Sequence, residues 1–376
     1  MIVGIRTDAS AVIGTGHLMR CLTLADSLWE HGARCLFFMR NHEPGFIEFV
    51  RNRGYEVYPL TQAKRVQKTD SVYAEWLGTT QEEDAQETID ILKSFSDKLD
   101  WLVVDHYALD RTWESAVRNY GEQLFVIDDL ANRTHDCDIL LDQNLYQNMQ
   151  DRYDSYIASH TAKLLGPKFA LLRPEFQAVR KNIAKRDGSI RRVFVFFGGA
   201  DLANMTGKTI AAISDPAFRA IQFDMVIGSA NPNQETIISR AKTLPNVQIH
   251  TQVARMSELM SQADIAIGAA GTTSWERCCL GLPTILAVLA DNQRDVADGL
   301  VHYGLGVSLG NHTEITPQHI RMALLNMMRD NRAVLEMSSR CLQQVDGLGA
   351  ERVTQHMMNQ SKDFVSVIET NAVKRG

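Results

Sequence analysis

The 376-residue sequence has 45% hydrophobic residues, 22% charged residues and a net charge of −6, the balance of a globular chain too long for one ordinary core and suited to two domains. The acidic balance argues against a nucleic-acid partner, which needs a basic face. No apolar run approaches the about 20 residues that span a bilayer, and Met1 leads straight into a strand rather than a signal peptide, so a cytoplasmic protein without a membrane partner is expected.

The chain opens with an apolar strand carrying Ile2, Val3 and Ile5. A polar, glycine-bearing stretch from Thr7 to Gly16 follows, then a helix with Leu18, Cys21, Leu22, Ala25, Leu28 and Trp29 at three- and four-residue spacing, closed by Gly32. His17 therefore falls in the first turn of a helix, directly after Gly14-Thr15-Gly16, where glycines let a ligand approach the backbone. The free N–H groups and positive dipole end of that helix favour an anion and disfavour imidazolium. A neutral imidazole near pH 7, available as a general base, is expected there. A lone histidine in such a place is often only a polar first-turn residue. Here the strand-loop-helix context favours function, because sites in open α/β sheets lie at strand C-termini.

Further strands are expected over Arg34 to Met39, Tyr55 to Tyr58, Trp101 to Val104, Gln123 to Ile127 and Ile139 to Leu141, with helices over Gly45 to Asn52, Gln81 to Phe95 and Thr112 to Asn119. This alternation indicates a mainly parallel sheet covered by helices on both faces. Residues 60 to 80 lack periodicity and read as a loop. Asp105-His106-Tyr107 and Asp128-Asp129 each follow an apolar strand and are placed to face the same crevice as His17, although each aspartate alone reads as readily as a turn former or helix cap. Asp136-Cys137-Asp138 has the D-x-D form of some metal-binding glycosyltransferases, but lies at the start of a short strand and reads as coincidence.

Residues 165 to 190 change character. Pro167 and Pro174 interrupt regular structure, and a basic, polar run read as solvated surface ends at Asp187-Gly188-Ser189. A second set of strands follows: Arg191 to Phe197, Phe223 to Ile227, Val247 to Thr251, Ile265 to Ile267, Thr284 to Val288 and Gly306 to Leu309. Helices are expected over Gln234 to Lys242, Met256 to Ala263, Ser274 to Leu280 and Val296 to Tyr303. The first of these strands ends in Gly198-Gly199-Ala200-Asp201. The stretch ADIAIGAAGTTSWERCCLGLPTI, residues 263 to 285, is the most informative: small residues at Gly271, Thr272 and Thr273 allow backbone amides and hydroxyls to close around phosphate oxygens. Glu276, one turn on, is placed to accept from two ribose hydroxyls, or is an ordinary helix-surface glutamate. Asp291-Asn292-Gln293 occupies another strand end. From Thr316 the chain reads as helical, with Met322, Met327, Met328, Met337, Met357 and Met358 as core filler, and residues 361 to 376 are polar and expected to fray. The six cysteines are scattered without a C-x-x-C pair, so neither a zinc site nor a disulfide framework is expected.

The expected organisation is an N-terminal α/β domain over residues 1–166 carrying the His17 loop, a linker over 167–190, a C-terminal α/β domain over 191–315, and a helical segment over 316–376. Two doubly wound parallel-sheet domains with glycine loops facing a central cleft resemble the GT-B fold of glycosyltransferases and nucleotide-sugar epimerases. More narrowly, the chain is similar to the UDP-sugar hydrolases of pseudaminic acid biosynthesis, themselves similar to the N-acetylglucosaminyltransferase of peptidoglycan synthesis. The likeness is carried by IRTDASAVIGTGHLMRCLTLADSL, WLVVDHYALD, VIDDLANRTHDCDILLDQNL, LLGPKFALLRPEF, VFFGGADLANMT, IGAAGTTSWERCCLGLPTI and the later DNQ, between residues 2 and 293.

The resemblance implies hydrolysis of UDP-2,4-diacetamido-2,4,6-trideoxy-β-L-altropyranose, with cleavage between C1 and oxygen and inversion. It implies that His17 takes the proton of the attacking water, that Gly14, Thr15 and Gly16 position water and sugar, and that Tyr107 and Asn292 contact the sugar, with Asp8 and Arg20 in support. Gly198, Gly199, Gly271, Thr272, Thr273 and Glu276 would hold the UDP, with no metal ligands and no cofactor. Three alternatives stay open. A transferase of the same fold would use an acceptor hydroxyl in place of water; for a lipid-linked acceptor an apolar patch rimmed by basic residues is expected, and no segment suggests one. A 2-epimerase would draw on Asp105, Asp128 and Asp129. A non-catalytic UDP-sugar binding protein would keep the glycine loops without needing a base at His17.

Overall fold

Largely continuous apolar runs, most of them followed by a helix, fold into two parallel sheets. The computed structural model describes residues 1–10, 12–62, 73–251, 253 and 255–360; residues 63–72 of the expected loop and the polar tail 361–376 lie outside the described residues. The first sheet contains β1 (Ile2–Thr7), β2 (Arg34–Asn41), β3 (Glu56–Gln62), β4 (Leu99–Asp105), β5 (Gly121–Ile127), β6 (Ile139–Asp142) and β7 (Ala162–Leu165). Their order is β3-β2-β1-β4-β5-β6-β7, with all pairs parallel. The order reverses between β1 and β4, so the loops leaving these two strands part to opposite faces and open a crevice at their C-terminal ends. The register sets Thr7 beside Asp105 at that point.

Both faces of this sheet are apolar, as a sheet covered on both sides requires. Val3, Ile5, Phe37, Val103 and Phe125 pack on one face with Leu18, Leu22, Ala25 and Leu28 of helix Gly16–Glu30. Leu36, Phe38, Leu102, Val104 and Val126 pack on the other with Trp113 and Val117. The helix Gly16–Glu30 ends at Gly32, whose φ of +83° suits glycine and whose N–H donates to the Trp29 carbonyl at 2.9 Å.

The second sheet contains β8 (Arg192–Phe196), β9 (Gln222–Ile227), β10 (Val247–Thr251), β11 (Ile265–Ala269), β12 (Thr284–Val288) and β13 (Gly306–Asn311). Its order, β10-β9-β8-β11-β12-β13, is again parallel throughout and reverses between β8 and β11. Val193, Val195, Phe223, Met225, Ile265 and Ile285 are buried in its core, joined by Ile320, Leu324 and Val334 from helices Pro317–Arg329 and Asn331–Gln344.

The chain divides into two compact units. One consists of residues 1–143 and 148–171 and the chain from Gly349; the other consists of residues 144–147 and 172–348. The structure departs from the sequence reading at several points. Strand β7 was not anticipated, since its AKLL sequence has no β-branched residue. Within the expected linker, Pro174 does not interrupt structure: it begins the helix Pro174–Arg180, where a missing N–H costs nothing. The basic run is not simply solvated. Arg180 donates to the carbonyls of Cys279 and Leu342 at 2.6 and 2.7 Å, and Arg186 donates to those of Ala263 and Leu280 at 2.9 and 2.6 Å. Met322 is exposed rather than core. All six cysteines are buried and unpaired.

The final helix, Gly349–Gln360, belongs to the first unit rather than to one continuous helical segment. It buries Ala350, Val353 and Met357 in the same core as Leu24 and Leu28. Thr354 Oγ1 donates to Ser27 Oγ at 2.8 Å, and Arg352 donates to the Lys168 carbonyl at 2.8 Å. Gly349 is required at its start, because an ideal Cβ there would lie 2.2 Å from the Ala170 carbonyl oxygen. Among the described residues no helix is long and apolar enough to cross a membrane.

Candidate active site

The loop after β1 folds back on itself before the helix begins. Ser10 Oγ accepts from the Val12 and Ile13 amides at 3.2 and 3.0 Å, and the Ser10 carbonyl accepts from Gly14 N–H at 2.8 Å. Gly14 has φ of +80°, which turns the chain into Thr15 and Gly16. His17 is then the second residue of the helix, and its side chain points inward.

His17 Nδ1 lies 2.6 Å from Asp105 Oδ1 at the end of β4. Arg20, one turn further along the helix, donates through Nε and Nη2 to the two oxygens of Asp105 at 2.6 and 2.7 Å, and through Nη1 to Asp129 Oδ2 at 2.7 Å. Tyr107 donates its hydroxyl to the same Asp129 oxygen at 2.6 Å and sets its ring edge-on to the His17 imidazole, 4.4 Å between centroids. Burial alone would raise the Asp105 carboxyl, but the Arg20 guanidinium and His17 hold it well below the usual carboxylate range. Asp105 is therefore an acceptor, and His17 Nδ1 faces it, with Arg20 Nη2 3.2 Å from the same nitrogen. Burial and the Asp129 charge push the Tyr107 hydroxyl well above its ordinary pKa, so it remains a donor.

Two aromatic residues that the sequence reading missed complete this wall. Trp76, from the short helix Ala74–Leu77, stacks on Tyr107 at 5.7 Å and meets the His17 ring edge-on at 6.3 Å; Tyr73 lies 5.1 Å from Tyr107. Four residues of helix in an aperiodic stretch give no periodic signal.

Of the five strand-end side chains, Asp105, Tyr107 and Asp129 join His17, while His106 and Asp128 do not. Asp128 holds its own turn, accepting from the Leu130 and Ala131 amides at 3.1 and 2.9 Å and pairing with Arg133 at 2.8 Å. His106 faces Asp8 at 3.4 Å. Asp8 itself is not placed to contact a sugar. It is fully buried, bound by Arg6 at 2.6 and 2.8 Å and by the Arg40 amide at 2.7 Å, in a network that Asp84 completes. The Arg6 pairing overcomes burial and lowers its pKa far below the usual range. Asp136 and Asp138 are also structural: Asp136 accepts from Ser115, and Asp138 pairs with Arg118 at 2.6 Å. Among the described residues no group of three or more His, Cys, Asp or Glu is arranged to hold a metal ion.

Beside the same loop, an apolar pocket of about 370 Å³ is lined by Thr15, Leu18, Met19, Phe46 and Phe49, with Glu43 at its rim. The sequence reading had found no such feature. The charged residue in its lining is Glu43.

In the second unit the loops after β8 and β11 hold the other candidate residues. Gly198 has φ of +92°, and the backbone of Gly199 packs so closely on Gly228 that a Cβ at Gly228 would lie 2.1 Å from the Gly199 carbonyl oxygen. Asp201 caps the next helix, accepting from the Met205 and Thr206 amides at 2.8 and 2.9 Å. After β11, Gly271 and Thr272 lead into helix Thr273–Cys279. Gln293, in the turn Asp291–Gln293 that also carries Asn292, lies 3.6 Å from the position of a Cβ at Gly271, so Asn292 and the Gly271 loop are neighbours. Glu276 is not a free surface group: only 16% of its side chain is exposed, and it pairs with Arg173 at 3.3 Å. Burial raises its pKa, with Arg173 opposing.

Two doubly wound parallel sheets whose loops carry these features define the GT-B fold. MurG of Acinetobacter baumannii superposes with a TM-score of 0.66 over 96% of this chain and 99% of that one, at 14% identity. The Glycosyltransferase family 28 C-terminal domain matches residues 193–353. By sequence, the chain is 26% identical to the spore coat polysaccharide biosynthesis protein SpsG of Bacillus subtilis, over 94% of this chain and 97% of the relative. It is also 26% identical to the UDP-2,4-diacetamido-2,4,6-trideoxy-β-L-altropyranose hydrolase of Campylobacter jejuni, over 82% of this chain and 98% of that enzyme.

Proposed function

We propose that the protein is a cytoplasmic nucleotide-sugar hydrolase that removes UDP from UDP-2,4-diacetamido-2,4,6-trideoxy-β-L-altropyranose, as in pseudaminic acid biosynthesis. The observation that carries this reading is the 2.6 Å contact between His17 Nδ1 and Asp105, which leaves Nε2 as a proton acceptor. A binding protein has no need of that arrangement, and the hydrolase of C. jejuni is a relative along nearly its full length.

In this mechanism water attacks C1 from the face opposite the UDP. His17 Nε2 takes its proton, and the carboxylate of Asp105 stabilises the charge the imidazole acquires, as an aspartate does behind a catalytic histidine. The bond from C1 to the UDP oxygen breaks with inversion, giving UDP and the free sugar. Gly14, Thr15 and Gly16 position water and sugar, Arg20 fixes the Asp105 carboxylate, and Tyr107 and Asn292 orient the sugar. Backbone groups of Gly198, Gly199 and Gly271 and the hydroxyls of Thr272 and Thr273 hold the diphosphate, with Glu276 on the ribose. These groups stabilise the leaving charge without a required metal. Asp8, being buried, acts only through the β1 end that it braces. A transferase is the second reading; the family 28 match and the apolar pocket beside Thr15 favour it, with an acceptor hydroxyl in place of water.

Proton NMR of the EDTA-treated protein with the altrose-configured UDP-sugar tests the proposal. Wild type is expected to release UDP and the inverted free sugar, and His17→Ala to lose about 10³-fold in rate. Undiminished release by His17→Ala would exclude the histidine as base, and intact substrate with wild type would favour the transferase.

A further inference from the structure

Four arginines, Arg6, Arg20, Arg40 and Arg277, are buried among the described residues. Three sit on carboxylates: Arg6 on Asp8 and Asp84, Arg20 on Asp105 and Asp129, and Arg40 on Asp84. Arg277 sits on none. Its Nη2 donates to the Ala269 carbonyl at 2.6 Å and to Ser274 Oγ at 2.8 Å, both neutral groups. Its Nε and Nη1 have no hydrogen-bond partner among the described residues. Glu276, next in sequence, turns instead to Arg173.

The chain makes specific room for this cation. An ideal Cβ at Gly268 would lie 2.3 Å from Arg277 Nη1, so only glycine at the end of β11 lets the guanidinium lie there. Burial draws the Arg277 pKa down to about 10, with Cys278 and Glu276 opposing weakly. A buried charge is costly unless a counter-charge is supplied. Among the described residues no carboxylate is in contact with it, and the guanidinium is bonded to both ends of the loop Ala269 to Ser274.

We infer that Arg277 is a positioning residue for the nucleotide diphosphate: it ties the Ala269 to Ser274 loop from beneath and provides the buried positive charge that an anion seated on that loop neutralises. The inference rests on the reading of Gly271, Thr272 and Thr273 as the UDP site. It explains why a short helix that buries Trp275, Cys278 and Cys279 also buries an arginine, on the side of Ser274.

The test is the affinity of the full-length protein for UDP and, by competition, for uridine, which lacks the diphosphate. Arg277→Met is expected to weaken UDP binding about tenfold or more and to change uridine binding less than about twofold, whereas Arg277→Lys, which keeps the charge, holds UDP within about threefold of wild type. If Arg277→Met does not fold, Arg277→Gln, which keeps an N–H donor for the same oxygens, replaces it in the same comparison. Equal losses for UDP and uridine, or no loss for either, would overturn the inference alone. Failure of wild type to bind UDP would remove the site reading and the inference together.

Discussion

At the strand-order reversal of the first sheet, the loops after β1 and β4 bring together His17, Arg20 and Asp105, with Asp129 and Tyr107 close behind. At the same reversal in the second sheet, the loops after β8 and β11 carry Gly198, Gly199, Gly271, Thr272 and Thr273, and the buried Arg277, bonded to the second of these loops, pairs with no carboxylate among the described residues. In the first of these sites the charges of Arg20, Asp105 and Asp129 are paired with one another, and His17 Nδ1 is engaged by Asp105. In the second unit the unused valences are backbone groups, hydroxyls and a buried positive charge. In the proposed mechanism the first arrangement moves a proton and the second receives an anion. On that reading one topology serves two tasks, set by which side chains occupy the strand ends.

The largest expected effect that separates the two regions comes from Asp105→Asn. It removes the negative charge behind His17 and turns one of the two accepting oxygens into an N–H donor, so turnover should fall about 10²- to 10⁴-fold while UDP affinity stays within about twofold. Steady-state kinetics beside UDP titration reads both. A parallel loss of UDP affinity would break the separation between the proton-moving and anion-binding regions.

A smaller effect concerns the charge network that supports β1. His106 is buried, and its Nδ1 accepts from the Ala108 amide at 3.1 Å, so protonation would cost that bond as well as desolvation. Burial lowers its pKa from 6.5 to about 3, with Asp8 opposing. Between these values the unfolded chain binds more protons than the folded one, so this group's contribution to stability is complete above about pH 6.5 and declines as the pH falls toward 3. Thermal melts of wild type between about pH 6.5 and 5, above the range where ordinary carboxylates titrate, should lose stability more steeply than those of His106→Gln. Equal slopes would show that His106 does not titrate against the fold.

Much of this architecture was legible from the sequence because hydrophobic period and glycine placement act locally. The strand with Ile2, Val3 and Ile5, the helix stripe from Leu18 to Leu28, and the loops at Gly14-Thr15-Gly16 and Gly271-Thr272-Thr273 are written in consecutive residues. Pairings across long sequence distance were not. Asp8 lies near His17 in sequence, yet Asp84 and Arg6 draw it into a separate buried network. Trp76 reaches the His17 wall from a four-residue helix that has no period to detect. Arg277 left a trace that was readable in principle: a charge three residues after Ser274, one helical turn from the small-residue loop. The packing of helix Gly349–Gln360 on the first unit follows its apolar positions Ala350, Val353 and Met357, but which core they join is a tertiary choice.

In the proposed mechanism water, deprotonated by His17, attacks the anomeric carbon. The most direct measurement runs a single turnover of the altrose-configured UDP-sugar in water enriched in heavy oxygen and examines the released UDP by phosphorus NMR and mass spectrometry. The account predicts unlabelled UDP with the heavy oxygen at C1 of the freshly released sugar. Heavy oxygen on the β-phosphate of UDP would place the attack at phosphorus and contradict it.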